Sequence, residues 1–184
     1  MFRIVTIESV IKVPPEKFDK NVEKAMENTL KDSIVDTINP RVGIFLGIIK
    51  INEIGEGKIY PADPNIYYKV NFDALIYKPE LNEIVYGEVI ESTTFGSFVR
   101  IGPFDALIHI SQTMDDFVSF NQKNRVLSGR ETNRVLKEGD QVRARIVSVS
   151  IEGNNVKIGC TMRQIGLGAL SWLEEERRKR GKKA

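Results

Sequence analysis

The segment Phe95-Gly96-Ser97-Phe98-Val99-Arg100-Ile101-Gly102-Pro103-Phe104-Asp105-Ala106-Leu107-Ile108-His109-Ile110-Ser111 decides the fold of this chain. β-branched and aromatic residues dominate both of its ends, and Gly102-Pro103 divides them as a turn. The pattern predicts two short strands, residues 95–101 and 106–111.

Three more strand patterns surround this pair. Residues 85–90 precede it, and Gly87 lies inside this strand, where glycine is typical of a bulge in a sheet that closes into a barrel. After a longer irregular section, Gly139-Asp140 leads into a fourth strand from Val142 to Val149. A fifth strand covers residues 156–160. The second half of the chain therefore predicts five short strands.

The first 40 residues predict a strand and then a helix. Residues 2–13 are a β-rich alternation, and Pro14-Pro15 stops the strand and is well placed to open a helix. Apolar and small residues then recur every three or four positions, which predicts an amphipathic helix of about 20 residues that ends at Asn39-Pro40. The predicted buried stripe of this helix consists of Phe18, Val22, Ala25, Met26, Thr29, Leu30 and Ser33.

Two further strands complete the first half. Residues 42–51 form a nearly continuous apolar run, which predicts a strand buried on both faces, or nearly so. Residues 67–76 alternate and predict another strand, which ends at Lys78-Pro79. Two Gly and two Pro between residues 55 and 65 predict an exposed connection between these strands. One helix on a three-stranded sheet is the expected result.

Composition excludes several classes of protein. The chain has 184 residues, of which 41% are hydrophobic and 28% charged, with one Cys (Cys160) and one His (His109). An intrachain disulfide or a closed structural zinc site is therefore impossible within the chain. We find no phosphate-binding glycine motif, nucleophile elbow or signal peptide, and no apolar run long enough for a membrane span. We expect an intracellular, cytoplasmic binding protein with no catalytic residues, no cofactor and no metal site.

The basic charge is concentrated at one end. Lys and Arg number 27 against 25 Asp and Glu, and the excess lies in residues 174–184. These residues are either the frayed, solvated end of a C-terminal helix or a basic arm that contacts nucleic acid. Trp172 is expected to anchor that helix against the barrel. Cys160 is expected to be a buried strand residue, and Met114-Asp115-Asp116 is not expected to bind a metal, because adjacent carboxylates point in different directions.

Four motifs of the second half resemble the S1-type RNA-binding domain, a five-stranded OB-fold barrel. They are Gly87-x-Val89, residues 95–99, residues 107–111 and Gly139-Asp140-x-Val142. The resemblance places the positions of Phe95, Phe98 and His109 on the RNA face. We expect Gly96 to break the strand alternation, so that both phenylalanine rings face outward and stack on bases.

Four basic residues could supply phosphate contacts on this face. They are Arg100, Arg143, Arg145 and Lys157. Two alternatives remain open: Phe98 could be part of the barrel core, and His109 could be a packed or capping residue without RNA contact.

The whole chain resembles one family, the larger stalk subunit of archaeal DNA-directed RNA polymerase (the E or E-prime polypeptide), whose eukaryotic counterpart is the seventh-largest subunit of RNA polymerase II. Further motifs that carry the resemblance are residues 13–16, 54–58, 109–116, 129–145 and 161–168. Family members commonly have Gly-Asp-Gly where this chain has Ala62-Asp63-Pro64. The resemblance implies an α+β fold, with a truncated RNP-like strand-helix-strand-strand domain over residues 1–80. An S1-type OB barrel with a C-terminal helix and basic tail is implied over residues 81–184.

The resemblance also implies a function in transcription. Such proteins form a heterodimer with a smaller stalk partner (the F polypeptide), bind the emerging single-stranded RNA and assist initiation and clamp control, while the catalytic residues lie in the large subunits. The N-terminal tip docks on the polymerase core, and the implied docking residues are Gly55, Glu56, Gly57, Lys58 and Ile59. The alternative is a free-standing S1-type RNA-binding factor of translation or RNA decay. Neither interpretation involves a membrane.

Overall fold

Two units, Met1–Lys78 and Pro79–Ala184, each enclose an apolar core of their own. The structure is a computed structural model of the chain, and it describes residues 1–17, 22–153 and 155–181. Strands predominate in both units, and the predicted α+β fold is confirmed.

The first unit is an antiparallel four-stranded sheet with a helix packed on one face. Its elements are β1 (Phe2–Val13), α1 (Val22–Ile34), β2 (Ile38–Asn39), β3 (Gly43–Ile59) and β4 (Ile66–Tyr77). The strand order is β1-β4-β3-β2. Met26 and Leu30 of α1 are fully buried against Val70 and Phe72 of β4 and Val13 of β1. The core of this unit therefore lies between α1 and one face of the sheet.

The helix α1 is shorter than predicted. It ends at Ile34 rather than at Asn39-Pro40, because Asp36 adopts a left-handed backbone (φ 63°) and its N–H donates to the carbonyl oxygen of Phe45 at 2.8 Å. In the predicted stripe, Ala25, Met26, Thr29 and Leu30 are buried, whereas Val22 and Ser33 are exposed. Phe18 lies outside the described residues.

The strand β3 differs from its prediction in burial and in length. Residues 42–51 are not buried on both faces, because α1 covers only one face of the sheet and Ile49 is 52% exposed. The exposed connection was predicted for residues 55–65, but its first five residues still belong to β3. They pair with β4, so that Gly57 lies opposite Tyr68 and Ile59 lies opposite Ile66. Only residues 60–65 form the loop.

The second unit contains nine strands and a helix in its described part. They are β5 (Ile84–Thr93), β6 (Gly96–Ile101), β7 (Phe104–His109), β8 (Val118–Asn121), β9 (Val126–Gly129), β10 (Val135–Leu136), β11 (Gln141–Glu152), β12 (Asn155–Thr161), β13 (Gly168–Ala169) and α2 (Leu170–Gly181). Five of the strands form a barrel in the order β12-β7-β6-β5-β11, which the pairing of β11 with β12 closes. This is the predicted five-stranded OB arrangement.

The section between β7 and β11 was predicted to be irregular. This prediction is wrong, because the section carries a small second sheet. Its strands β8, β9 and β10 are two to four residues long, too short to show a clear alternation in the sequence. Leu127 and Leu136 from this sheet are fully buried in the same core as the barrel residues. The insertion is therefore an integral part of the second unit.

Asp116 fixes the loop between β9 and β10. Its carboxylate accepts hydrogen bonds from the N–H of Thr132 (2.9 Å), the hydroxyl of Thr132 (2.7 Å) and the N–H of Glu131 (3.1 Å). The hydrogen bonds from Thr132 are the largest cause that lowers the pKa of Asp116 to about 2. Gly129 leaves room for this carboxylate, since a Cβ there would lie 2.3 Å from Oδ2 of Asp116. The neighbouring Asp115 instead forms an ion pair with Arg163 at 2.6 Å.

Two predictions about the barrel core are confirmed. Trp172 anchors α2, because its ring is 7% exposed within the barrel core and packs against Gly168. The guanidinium of Arg134 lies over the same ring, 5.5 Å from its centroid, and pairs with Glu176 of α2 at 2.5 Å. Cys160 is buried in β12, and burial raises the pKa of its thiol to about 12.

Candidate nucleic-acid interface

An aromatic pair stands at the start of β6. Phe95 and Phe98 have ring centroids 6.0 Å apart and contact each other edge to face at 88°. Phe95 is 48% exposed, and Phe98 is half-buried. Gly96 makes this arrangement possible, because its φ is 155° and a Cβ there would lie 2.2 Å from the carbonyl oxygen of Ile108. The strand alternation breaks at this glycine, and the two rings meet.

Phe98 lines a groove of about 580 Å³, which we call the barrel groove. Strands β7, β11 and β12 supply most of its other lining residues, which are Asp105, Leu107, His109, Gln112, Val147, Ser148, Val149, Ser150, Val156, Lys157, Ile158, Gly159 and Cys160. Aliphatic side chains form much of the surface, and bases can stack or pack on a surface of this kind.

A bulge in β11 helps to form the floor of the barrel groove. The register between β11 and β12 shifts between Ile146 and Ser148, which leaves Val147 48% exposed in the groove. Val147 and Ser148 were not predicted as site residues. The signal was present, since the apolar positions of this strand change from even to odd numbers between Ile146 and Val149.

His109 ends β7 at the rim of the barrel groove. Its Nδ1 accepts a hydrogen bond from the backbone N–H of Ser111 at 3.3 Å and lies 2.8 Å from the Ser111 hydroxyl. Because a backbone N–H can only donate, Nδ1 is the acceptor nitrogen, and the ring proton of neutral His109 is on Nε2. The residue thus caps the 3-10 turn at Ile110–Gln112 while its exposed side chain keeps an N–H donor for a ligand.

Two of the four basic residues predicted to contact phosphate, Lys157 and Arg100, differ in whether a carboxylate already holds them. Lys157 is exposed, lines the barrel groove and forms no ion pair with any residue that the structure describes. Arg100 is paired across the β6–β7 hairpin with Asp105, whose carboxylate lies 3.0 Å from Nε and raises the pKa of the guanidinium. A phosphate would have to compete with that carboxylate for Arg100.

Arg143 and Arg145 are not brought to the barrel groove. The guanidinium of Arg143 lies over the ring of Tyr86, 5.2 Å from its centroid, and donates to the carbonyl oxygen of Gly166 at 3.2 Å. Arg145 lies opposite Ile84 of β5 and is half-buried. Of the seven predicted residues, the structure therefore brings together Phe95, Phe98, His109 and Lys157.

The predicted docking residues form the end of a hairpin arm in the first unit. Gly55, Glu56, Gly57, Lys58 and Ile59 are the last five residues of β3, where the pairing with β4 shifts between Ile54 and Gly57. A Cβ on Gly57 would lie 2.8 Å from the side chain of Ile66 and 2.9 Å from the ring of Tyr68, so a larger residue here would force these side chains to shift. Ile59 is 70% exposed at the end of the arm.

The loop of the arm is held by Asp63. Its carboxylate accepts from the hydroxyl of Tyr67 at 2.6 Å and from the N–H of Asn65 at 3.0 Å, and the Tyr67 hydrogen bond is the largest cause that lowers the pKa of Asp63 to about 2. Tyr60 is 54% exposed and contacts Tyr67 edge to face at 5.2 Å. Ala62 adopts a left-handed backbone (φ 67°) in this loop.

Two further properties concern the described residues alone. Across residues 1–17, 22–153 and 155–181, no helix combines the length and apolar character needed to cross a bilayer. The same residues contain no group of three His, Cys, Asp or Glu side chains placed to hold a metal ion.

Comparison with known proteins adds two family matches. Residues 78–161 match the model "S1 RNA binding domain", and residues 8–64 match the model "SHS2 domain found in N terminus of Rpb7p/Rpc25p/MJ0397". The two matches fall in the two halves of the chain.

Two curated relatives match almost the entire chain, and a third matches 62% of it. DNA-directed RNA polymerase subunit Rpo7 of Saccharolobus shibatae is 33% identical over 180 residues, which cover 97% of this chain and 100% of the relative. Rpo7 of Sulfolobus acidocaldarius is 33% identical over 96% of this chain and 97% of its own length. DNA-directed RNA polymerase III subunit RPC8 of Saccharomyces cerevisiae is 33% identical over 62% of this chain and 54% of the relative.

Proposed function

Since this chain belongs to the Rpo7 family of DNA-directed RNA polymerase subunits, the larger of the two stalk polypeptides, we propose that it is a non-catalytic subunit that docks on the polymerase core and binds the emerging transcript. The full-length similarity to polymerase subunits favours this function over a free-standing S1-type factor of translation or RNA decay. The buried thiol agrees with a non-catalytic role: burial raises the pKa of Cys160, which disfavours the nucleophilic thiolate.

The barrel groove carries the proposal of RNA binding. Phe98 and the aliphatic floor offer faces for bases, His109 offers an N–H donor, and Lys157 offers a cation without an ion pair among the described residues. Base stacking on an aromatic side chain contributes about 1–3 kcal/mol per base, and few cations line the groove, so we expect weak and salt-sensitive binding of single-stranded RNA.

A double substitution tests the aromatic pair. Phe95→Ala with Phe98→Ala should weaken RNA binding at least about 25-fold in a filter-binding titration, because two stacking contacts are lost and each costs about 1 kcal/mol or more. Phe117→Ala is the matched control, since Phe117 is 74% exposed in the same unit and does not line the groove. Circular dichroism checks that the variants fold. Equal affinities of the double variant and the wild type would contradict the proposal.

The hairpin arm is the proposed core-docking element. Ile59 and Tyr60 present exposed apolar surface at its end, and such patches are typical of protein interaction sites. Deleting Gly55–Lys58 would remove strand residues that pair with β4, so point substitutions are the better test. Ile59→Ser with Tyr60→Ser should abolish docking on a polymerase lacking its stalk in a native gel. Ile49→Ser, at another exposed apolar site on β3, should dock normally.

Partnership with the smaller stalk polypeptide is the third part of the proposal. The sheet face opposite α1 exposes Phe2, Ile4 and Val10, each more than half exposed, and a partner protein would cover such side chains. We propose that the pair assists initiation and clamp control when docked. A pull-down of tagged protein from its native extract, followed by mass spectrometry, should recover the large polymerase subunits and one small partner. Recovery of ribosomal or exosome proteins without polymerase would favour the free-standing factor.

A further inference from the structure

A second groove lies beside the aromatic pair, and we call it the insertion groove. Its volume is about 510 Å³, and its lining residues are Thr94, Ser119, Phe120, Asn121, Gln122, Lys123 and Ser128. All except Thr94 belong to strands β8 and β9 and the turn between them. Thr94 directly precedes Phe95, whose carbonyl oxygen accepts from the N–H of Ile110 at 2.9 Å. Phe95 therefore links the two grooves: it follows Thr94, which lines the insertion groove, and its ring contacts Phe98, which lines the barrel groove.

We propose that single-stranded RNA bound in the barrel groove continues across Phe95 into the insertion groove, where Lys123 and Gln122 bind its sugar–phosphate backbone. This inference rests on the proposed RNA-binding function and extends the site to a part of the chain that the four S1 motifs do not include. The ligand is the same strand, and the insertion groove takes the nucleotides beyond those stacked at Phe98.

The chemistry of the lining favours RNA over a protein ligand. Hydroxyls, amides and one ammonium group form the insertion groove, Phe120 is its single apolar side chain, and no carboxylate lines it. Lys123 is exposed and forms no ion pair with another described residue. A cation with neighbouring donors and no competing acid suits phosphate oxygens. A protein ligand would need apolar surface that this groove lacks.

The turn that carries Lys123 is held in place before any ligand binds. The side-chain oxygen of Asn121 accepts from the N–H of Lys123 at 3.0 Å and from the N–H of Asn124 at 3.4 Å. Across the strands, the hydroxyls of Ser119 and Ser128 lie 3.2 Å apart. Because these hydrogen bonds hold the backbone, binding does not have to order the turn, and the side chains of Lys123 and Gln122 are the groups that lose freedom.

A length series of oligouridylates separates the two grooves. Single OB folds contact about 4–16 nucleotides. An oligomer of about 4 nucleotides should therefore fill the barrel groove alone, and one of about 12 nucleotides should fill both grooves. Wild-type protein should bind the longer oligomer more tightly. Lys123→Glu with Gln122→Ala should leave the affinity for the short oligomer unchanged and weaken binding of the long one about tenfold. The binding of the long oligomer by this variant should also depend less on salt. The slope of the logarithm of the binding constant against the logarithm of the salt concentration should become shallower by about 0.7 for each lost phosphate contact.

The control is Lys137→Glu, the same charge reversal on an exposed residue that lines neither groove. The Lys123 variant could bind both oligomers as the Lys137 variant does, while Phe95→Ala with Phe98→Ala loses affinity. This result would show that RNA does not continue into the insertion groove, and it would leave the proposed function intact. An equal loss for both oligomers would also overturn the path, because Lys123 would then belong to the primary site.

Failure of the proposed function gives a different result. The wild type would then bind neither oligomer, or the phenylalanine variant would bind both as tightly as the wild type. A thermal melt of each variant checks its fold. If the Lys123→Glu protein melts early, Lys123→Gln with Gln122→Ala replaces it, and this pair should show the same loss for the long oligomer only.

Discussion

A cation can meet a phosphate only where no other group already holds it. Arg143 is stacked on Tyr86 and bound to a carbonyl oxygen, and Arg100 is paired with Asp105, whereas Lys157 has no ion pair among the described residues. The sequence shows all three as basic residues of a strand. Their different availability depends on cross-strand neighbours that only the register reveals.

Gly96 should tolerate no side chain. Gly96→Ala should destabilise the second unit by about 1–3 kcal/mol, because a Cβ would collide with the carbonyl oxygen of Ile108 and the backbone is in the positive-φ region. Gly139→Ala is the control: φ is 84°, but no atom lies within 4 Å of its Cβ, so it should cost about 1 kcal/mol from backbone strain alone. Urea denaturation measures both. Equal costs would show that the contact with Ile108 is unimportant.

Asp116 should make the stability of the second unit depend on acid pH. Its pKa is lowered to about 2 in the folded state, so its contribution is complete above its ordinary pKa of 3.8 and disappears as the pH falls through 2. Asp116→Asn should lower the melting temperature at neutral pH, and the difference from wild type should shrink between about pH 4 and pH 2. Asp115→Asn, at the neighbouring exposed carboxylate, should have a smaller effect. A pH-independent difference would contradict the role given to the carboxylate.

At the scale of elements, the helix α2 stays on the barrel through Trp172. Trp172→Ala should destabilise the second unit by about 3–5 kcal/mol, because a nearly buried ring is removed from the core and Arg134 loses the surface on which it lies. Chemical denaturation with the loss of helical circular dichroism measures the effect. Ile165→Ala, at a side chain that is 95% exposed, should change stability by less than about 0.5 kcal/mol.

Long elements with a clear period could be predicted from the sequence, and short or bent ones could not. The alternation of residues 2–13 and 67–76 predicted β1 and β4 closely. The strands β8 to β10 are too short to show a period, and bulges in β3 hid its extension to Ile59. The end of α1 depends on the left-handed backbone of Asp36, a conformation that the sequence did not indicate.

The candidate site was predictable to a similar degree. The motifs placed Phe95, Phe98 and His109 on adjacent strands, and the structure brings them to one region. The insertion groove could not be predicted, because it forms where a short sheet meets the residue before Phe95. Charge alone also could not separate Lys157 from Arg143.

At the scale of the whole molecule, the two cores should be independent. Each unit buries its own apolar residues, and the division falls between Lys78 and Pro79. Polypeptides of residues 1–78 and 79–184 should therefore each unfold cooperatively in a thermal melt, and the second should keep the RNA affinity of the whole chain. Loss of cooperative unfolding in either polypeptide would show that the cores depend on each other.

The position of Trp172 in the chain has a consequence for biosynthesis. Translation makes β5 to β12 before α2, and segments of a chain begin to fold in the order in which they emerge. The barrel strands are therefore complete while the ring that covers one part of their core is still to be synthesised. The core of the second unit therefore becomes fully sealed only after α2 has left the ribosome.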